Sequence, residues 1–299
     1  MRGLWPMIVA RTLGEWWEYR MQCPDDIGFV PTMGGLHDGH LALVGAARQH
    51  ARVVVSIYVN PLQFGPQEDF AAYPRTEEAD CARLAQAGVD AVFLPAEAAI
   101  YPRGREQHTQ VRVPGLSEDL CGRYRPGHFE GVTTVVARLL GVVRPRVCYM
   151  GKKDYQQWRI VTRMVADLML PVAVTGIDTV RERDGLALST RNTYLSRAER
   201  TRAPGLYETL TQAARQVAAG MAPADAEVAG MARLVALGFV PDYLAVRRAA
   251  DLAPPSPGDA ELVALAAARL GRTRLIDNRE FRRIGRGDGG HWQGCAKTG

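Results

Sequence analysis

Short apolar runs alternate with longer segments of helical spacing along the first two-thirds of the chain. Ile27–Pro31, Ala91–Leu94, Val147–Met150 and Val172–Ile177 read as strands, and Val53–Val59, rich in β-branched residues, as a buried one. Between them, His40–His50 carries Leu41, Val44 and Ala47 on one side. Glu77–Ala87, Gly131–Val143 and Tyr155–Leu168 read as further helices, with Gly88 and Pro145 as stop signals. Strands separated by helices of this length predict parallel βαβ units. The expected fold class is therefore α/β, a Rossmann-like doubly wound parallel sheet with helices on both faces. The opening residues read as a first strand and helix, because they lack the small-residue cleavage site of a leader peptide.

The pattern changes after Thr179. A polar loop, RERDGLALSTRNTYLS, leads into Ala- and Arg-rich helices over Arg197–Ala219 and Asp225–Leu237. Strand-like runs follow at Pro241–Val246, Glu261–Ala268 and Thr273–Ile276. The expected division is a larger domain over residues 1–179, a smaller α+β lid domain over 180–280, and a disordered Gly- and Arg-rich tail over 281–299.

Composition narrows the class. The 299 residues are 47% hydrophobic and 23% charged, a globular mix with enough apolar material for a substantial core. No apolar run approaches the ~20 residues of a membrane helix. Five cysteines, widely spaced and without a CxxC, fit neither a disulfide framework nor a zinc knuckle, so a reducing cytoplasm is the expected location. The net charge is +5, but from Arg279 onward five basic residues face only Glu280 and Asp288. The body is thus close to balanced, and no nucleic-acid partner is expected.

The sharpest chemical signal is FVPTMGGLHDGHLALV, Phe29–Val44. A buried strand ends, a glycine turn follows, and a helix begins. Such a helix N-terminus offers N–H groups to a phosphate, and Gly34 and Gly35 let backbone come close. His37 and His40, three apart, share one side of the first turn and are placed to stabilise departing pyrophosphate. The bland alternative is a tight turn with two incidental histidines.

Four other polar islands sit at loop positions. Tyr58–Thr76 offers Gln63, which reads equally as a surface amide. Met150–Trp158 offers Lys153 for phosphate, Asp154 for ribose hydroxyls and Gln157 one turn on. Asp154 reads equally as a helix cap. Arg181–Asn192 offers Ser189, Thr190 and the forked donors of Arg191, or else a solvated linker. Arg123–Val136 offers His128, with Arg123 or Arg125, to a carboxylate or phosphate, although a lone histidine before a helix is more often structural. No P-loop, GxGxxG or GxSxG occurs, so the set points to a nucleotide handled without a P-loop.

The stretches VPTMGGLHDGH, YVNPLQFGPQEDFAAYPR, RPGHFEGVTT, MGKKDYQQ and DGLALSTRNTYLS together resemble the pantoate–β-alanine ligase (pantothenate synthetase) family. Its HxxH signature places it among nucleotidyltransferases sharing a fold with class I aminoacyl-tRNA synthetases. The resemblance runs from about residue 8 to 280. It implies that ATP, with Mg²⁺, adenylates pantoate, and that β-alanine then displaces AMP to give pantothenate. It implies ATP contacts at Met33, Gly34, Gly35, Leu36, His37, Asp38, Gly39 and His40. Further ATP contacts are implied at Gly151, Lys152, Lys153 and Asp154, and at Val180, Leu188, Ser189, Thr190 and Arg191. His40 is the implied proton donor, with His37, Lys153 and Arg191 as further catalytic groups. Gln63 and Gln157 are implied to hold pantoate, Gln63 also meeting β-alanine. Asp80 is implied as a Mg²⁺-facing carboxylate, and the chain as a homodimer. Leu188 and Thr190 depart from the family's usual Met-Ser-Ser-Arg, and Met150 from its Phe. The competing readings are another nucleotidyltransferase of the same superfamily, and a non-catalytic nucleotide sensor or RNA-binding protein.

Overall fold

The computed structural model describes residues 7–283, except Pro24 and Gln67. β1 (Ile8–Ala10) and α1 (Leu13–Met21) lead to β2 (Ile27–Thr32), α2 (Asp38–Ala47) and β3 (Arg52–Ile57). After α3 (Glu77–Gln86) and β4 (Ala91–Phe93) come two short helices, α4 (Glu97–Ile100) and α5 (Cys121–Tyr124). The long α6 (His128–Val143), β5 (Val147–Gly151), α7 (Tyr155–Asp167) and β6 (Ala173–Ile177) complete this part. The six strands form one parallel sheet in the order β1-β4-β3-β2-β5-β6. The doubly wound sheet read from the apolar runs is therefore present.

The runs in β2, β3 and β4 are uninterrupted because both faces are covered. Val30, Val53, Val55 and Val92 pack with Val44 of α2 and Leu84 of α3 on one face. On α1, Trp16 is fully buried beside Phe93, and its indole N–H donates to the carbonyl of Val142 at 2.9 Å. That helix starts where it does because Thr12 and Glu15 form a reciprocal capping box.

The second part consists of α8 (Arg197–Arg202), α9 (Gly205–Ala218), α10 (Pro223–Ala236), β7 (Val240–Arg248), β8 (Glu261–Leu270) and β9 (Thr273–Arg282). The three strands form an antiparallel sheet in that order. The single helix read over Arg197–Ala219 is two. Pro204 has no N–H to continue the first and its ring crowds the preceding turn, so α9 restarts at Gly205. Leu206, Leu210 and Val217 of α9, Leu234 of α10 and Leu262, Ala264 and Leu270 of β8 make its core.

By their contacts the residues form two compact units. The first runs through Val180 and includes Leu188–Thr190. The second comprises Arg181–Ala187 and the chain from Arg191. The tail drawn from composition begins too early, since Phe281 and Arg282 pair with Leu262 and Glu261 in the sheet. Its remainder from 284 lies outside the described residues. Among the described residues no helix is long and apolar enough to cross a membrane.

Candidate active site

β2 lies between β3 and β5, so the chain leaves β2 toward one side of the sheet and later returns to the other. The crevice beyond the carboxyl ends of β2 and β5 is where such sheets bind ligands. Two of the segments singled out above stand there. The turn Met33–His37 follows β2, and the single 3₁₀ turn Lys152–Asp154 follows β5.

The turn after β2 is wired internally. The N–H of Gly34 donates to Thr32 Oγ1 at 3.2 Å, and those of Gly35 and Leu36 donate to the two carboxylate oxygens of Asp80, each at 2.8 Å. His37 N–H donates to His40 Nδ1 and Gly39 N–H to His37 Nδ1, both at 3.2 Å, while His40 N–H returns to the His37 carbonyl at 2.8 Å. The expectation that these amides are free for a phosphate is therefore corrected: each of the six already has an acceptor. In this arrangement the turn's glycines serve its shape. Gly34 and Gly35 have φ of +79° and +60°, and a Cβ on Gly35 would meet the Thr190 methyl at 2.8 Å. Besides the N–H of Asp38, the first residue of α2, the groups on this turn placed to address phosphate are side chains.

The reciprocal histidine cap fixes those side chains. Each Nδ1 accepts a backbone N–H, so each neutral ring carries its proton on Nε2. The rings lie 4.1 Å apart, centroid to centroid. Burial, then the neighbouring Lys153 charge, lowers the His37 pKa to about 4. Burial, then His37 itself, lowers that of His40 to about 3. At neutral pH the pair thus presents two Nε2–H hydrogen-bond donors without net charge.

Lys153 and Asp154 interact electrostatically with both histidines. Lys153 Nζ lies 3.7 Å from Asp154. Asp154 occupies the N-cap position of α7 but makes no capping hydrogen bond, so the cap alternative does not hold for its side chain. Lys152 differs from its neighbour. Its ammonium pairs with Asp178 at 2.9 Å and lies over the Trp158 ring. Gln157 is half-buried on the first turn of α7. Its neighbour Gln156, which the sequence reading passed over, is a buried strut holding the Leu116 and Asp119 carbonyls and the Cys121 N–H.

Gln63 ends a 3₁₀ turn after β3. Its Nε2 reaches Met33 Sδ at 2.9 Å, tying it to the histidine turn, and its Oε1 accepts from Asn60 Nδ2 at 3.3 Å. Asn60 is 1% exposed. It also donates to the Gly131 carbonyl and accepts from Tyr101 Oη at 2.8 Å. Gly131 is required here, since a Cβ would meet the Leu62 carbonyl oxygen at 2.3 Å. The only sequence signal for this packing is a glycine inside an otherwise apolar helix.

Asp80 is a second correction. Expected to face Mg²⁺, it is 2% exposed, and besides the two turn amides it accepts from Thr76 Oγ1 at 3.0 Å. With both oxygens engaged it is the anchor of the turn and a poor fit for a metal ligand. Among the described residues no group of three or more His, Cys, Asp and Glu could hold a metal ion. One helical turn on, Arg83 donates to the Leu36 carbonyl and to Asp38 Oδ1, the latter at 3.1 Å. Asp80 and Arg83 of α3 therefore grip the histidine turn from both backbone polarities.

Thr190 donates from Oγ1 to the Gly35 carbonyl at 3.1 Å, and Leu188 N–H donates to the Val180 carbonyl at 3.0 Å. Val180 and Leu188–Thr190 are thereby held with the first unit. Arg191 belongs to the second, within the 3₁₀ segment Thr190–Tyr194.

The sequence profile of the pantoate-beta-alanine ligase family matches residues 9–280. The chain belongs to the pantoate–β-alanine ligase family. Within it, the chain is 58% identical over 253 residues to the pantothenate synthetase of Chromohalobacter salexigens, covering 84% of this chain and 89% of that one. It is 52% identical over 276 residues to that of Chromobacterium violaceum, covering 92% and 99%. The crystal structure of pantothenate synthetase from Thermus thermophilus superposes with a TM-score of 0.86 at 48% identity, covering 91% of this chain and 99% of that one. The ligase from Francisella tularensis, crystallised with beta-gamma ATP and beta-alanine, gives 0.78 at 31% identity, covering 91% and 97%. Among the ligase departures noted above, Thr190 packs its methyl on Gly35 and keeps its hydroxyl bonded, and Met150 is buried at 5% exposure.

Proposed function

We propose that the protein condenses pantoate with β-alanine at the expense of ATP, through a pantoyl adenylate. In the first step a pantoate carboxylate oxygen attacks the α-phosphorus and pyrophosphate leaves. In the second the β-alanine amine attacks the acyl carbon, loses a proton, and AMP departs with the bridging oxygen. The observation that carries this reading is the neutral, mutually capped histidine pair beside Lys153 at the sheet's switch point, in a chain of this family. Two fixed Nε2–H donors and an ammonium are suited to the charge that builds on departing pyrophosphate, and they need no reorganisation at that moment. Since Asp80 is committed to the turn, Mg²⁺ is assigned to the substrate, as the metal complex of ATP. Release of AMP and pyrophosphate from ATP and pantoate, followed with and without β-alanine, tests the reading. Absence of β-alanine-dependent AMP would overturn it in favour of another nucleotidyl transfer or a binding protein.

Gln63 and Gln157 are assigned to pantoate. Both are uncharged and act by hydrogen bonds, so alanine at either should raise the pantoate KM by about ten-fold or more while moving the ATP KM little. The opposite split would place them on the nucleotide side. Arg191, with Val180 and Leu188–Thr190, is assigned to the nucleotide. Arg191→Ala should lose most of the adenylation rate and Arg191→Lys recover only part, because an ammonium lacks the planar fork. ATP should also slow amide exchange across 181–192. Normal turnover by Arg191→Ala with unchanged exchange would leave this loop a linker. The homodimer expected from the family is likewise a proposal, checked by light scattering of the purified protein.

A further inference from the structure

Gln63 is held from a second direction. The loop after it and the start of α6 share a polar network that includes neither histidine of the turn. Arg125 spans the two carboxylate oxygens of Glu68, from Nε at 2.6 Å and from Nη2 at 2.5 Å. Its Nη1 reaches His128 Nε2 at 3.0 Å and its Nη2 reaches the Gln63 carbonyl at 3.2 Å. Glu68 closes the same loop by accepting from Gly65 N–H at 3.2 Å.

An arginine only donates, so His128 Nε2 must accept, and the ring's proton sits on Nδ1. That Nδ1–H points to the Gln63 carbonyl at 2.7 Å. Burial, reinforced by the Arg125 charge, lowers the His128 pKa to about 3, so the ring stays neutral and keeps this tautomer. Burial would push Glu68 up, but its hydrogen bonds and charge pairing with Arg125 outweigh that and hold it at about 2. Two donors from α6 and its approach thus converge on one carbonyl. The Gln63 side chain is bound separately to Asn60 and Met33.

We propose that Glu68, Arg125 and His128 are positioning residues for the acid substrate: by clamping the Gln63 backbone they set the amide that binds pantoate. The inference rests on the reading of Gln63 as a pantoate ligand. None of the three touches the reacting atoms. Arg125 and His128, which the sequence offered as direct ligands of a phosphate or carboxylate, have their donors turned to protein groups.

Substitutions that keep or lose the Nδ1 donor test it. Asparagine places an N–H near the position of Nδ1, and glutamine does not. His128→Gln and Arg125→Lys should raise the pantoate KM about ten-fold, the scale of one lost hydrogen bond to a positioned group, with the ATP KM within about two-fold. His128→Asn should stay near wild type. In the Gln63→Ala background, adding His128→Gln should cost nothing more, since the clamp then has no amide to set. Equal rises in both KM values, additive losses in the double variant, or Asn no better than Gln would overturn the proposal. A measurement without turnover separates this from the functional reading. The Gln63 side-chain ¹⁵N amide resonances should shift in His128→Gln and Arg125→Lys but hardly in His128→Asn. Unchanged resonances in all three would refute the clamp even in an active ligase. A wild-type protein that made no pantoate-dependent AMP would refute the functional reading while the resonances still decided the clamp.

Discussion

His40→Asn is expected to slow adenylation by ~10²–10³, the cost of one transition-state donor, while ATP binding weakens far less. Asparagine is the informative choice because its side-chain oxygen can still accept the His37 N–H now bonded to Nδ1, whereas the Nε2–H is lost. A loss of rate without a loss of stability would assign the effect to the donor rather than to the helix cap. The pH profile gives the complementary test. Both imidazoles have pKa values far below the ordinary 6.5, His37 at about 4 and His40 at about 3, so neither changes charge between pH 5.5 and 8. The wild-type adenylation rate should therefore show no histidine titration in that window, and fall only as the pH drops toward 4. A titration near 6.5 abolished by His40→Asn would instead support an imidazolium acting as proton donor.

Asp80→Asn is the second large effect expected. One carboxylate oxygen becomes an NH₂ group facing a backbone N–H, so a buried donor at Gly35 or Leu36 loses its acceptor. The expected destabilisation is about 3 kcal/mol, since the lost bonds are to a charged group. The rate of adenylation should fall with it, by about 10²-fold, because the turn that aims both histidines is no longer fixed. Urea unfolding and single-turnover kinetics measure the two together. A variant of normal stability whose only defect was a raised magnesium requirement would restore Asp80 to the metal.

The doubly wound sheet was legible because β2, β3, β4 and β5 are short, mostly buried apolar runs separated by helices with clear stops. The break at Pro204 was also written in the chain, but the apolar face continues through it and masks it. At the site, the glycine–HxxH turn announced itself by residue type. What it does with its amides did not, because that depends on Asp80, which lies more than forty residues away and reaches the turn only through the packing of α3. The same holds for Asn60, Glu68 and His128. Each makes its decisive bond across a turn or to a distant helix, and none has a spacing that marks it. Lys152 and Lys153 show the limit at single-residue scale. Adjacent in sequence, one pairs with Asp178 over Trp158, while the other's charge bears on the histidines.

The most direct test of the acyl-adenylate route is the fate of oxygen. Pantoate labelled with ¹⁸O in both carboxylate positions is turned over with unlabelled ATP and β-alanine, and the AMP is analysed by mass spectrometry. Attack of the carboxylate on the α-phosphorus requires one ¹⁸O to leave with AMP and one to remain in the new amide. AMP carrying a single ¹⁸O in amounts equal to the pantothenate formed is the expected result. Unlabelled AMP, or ADP in its place, would contradict the account.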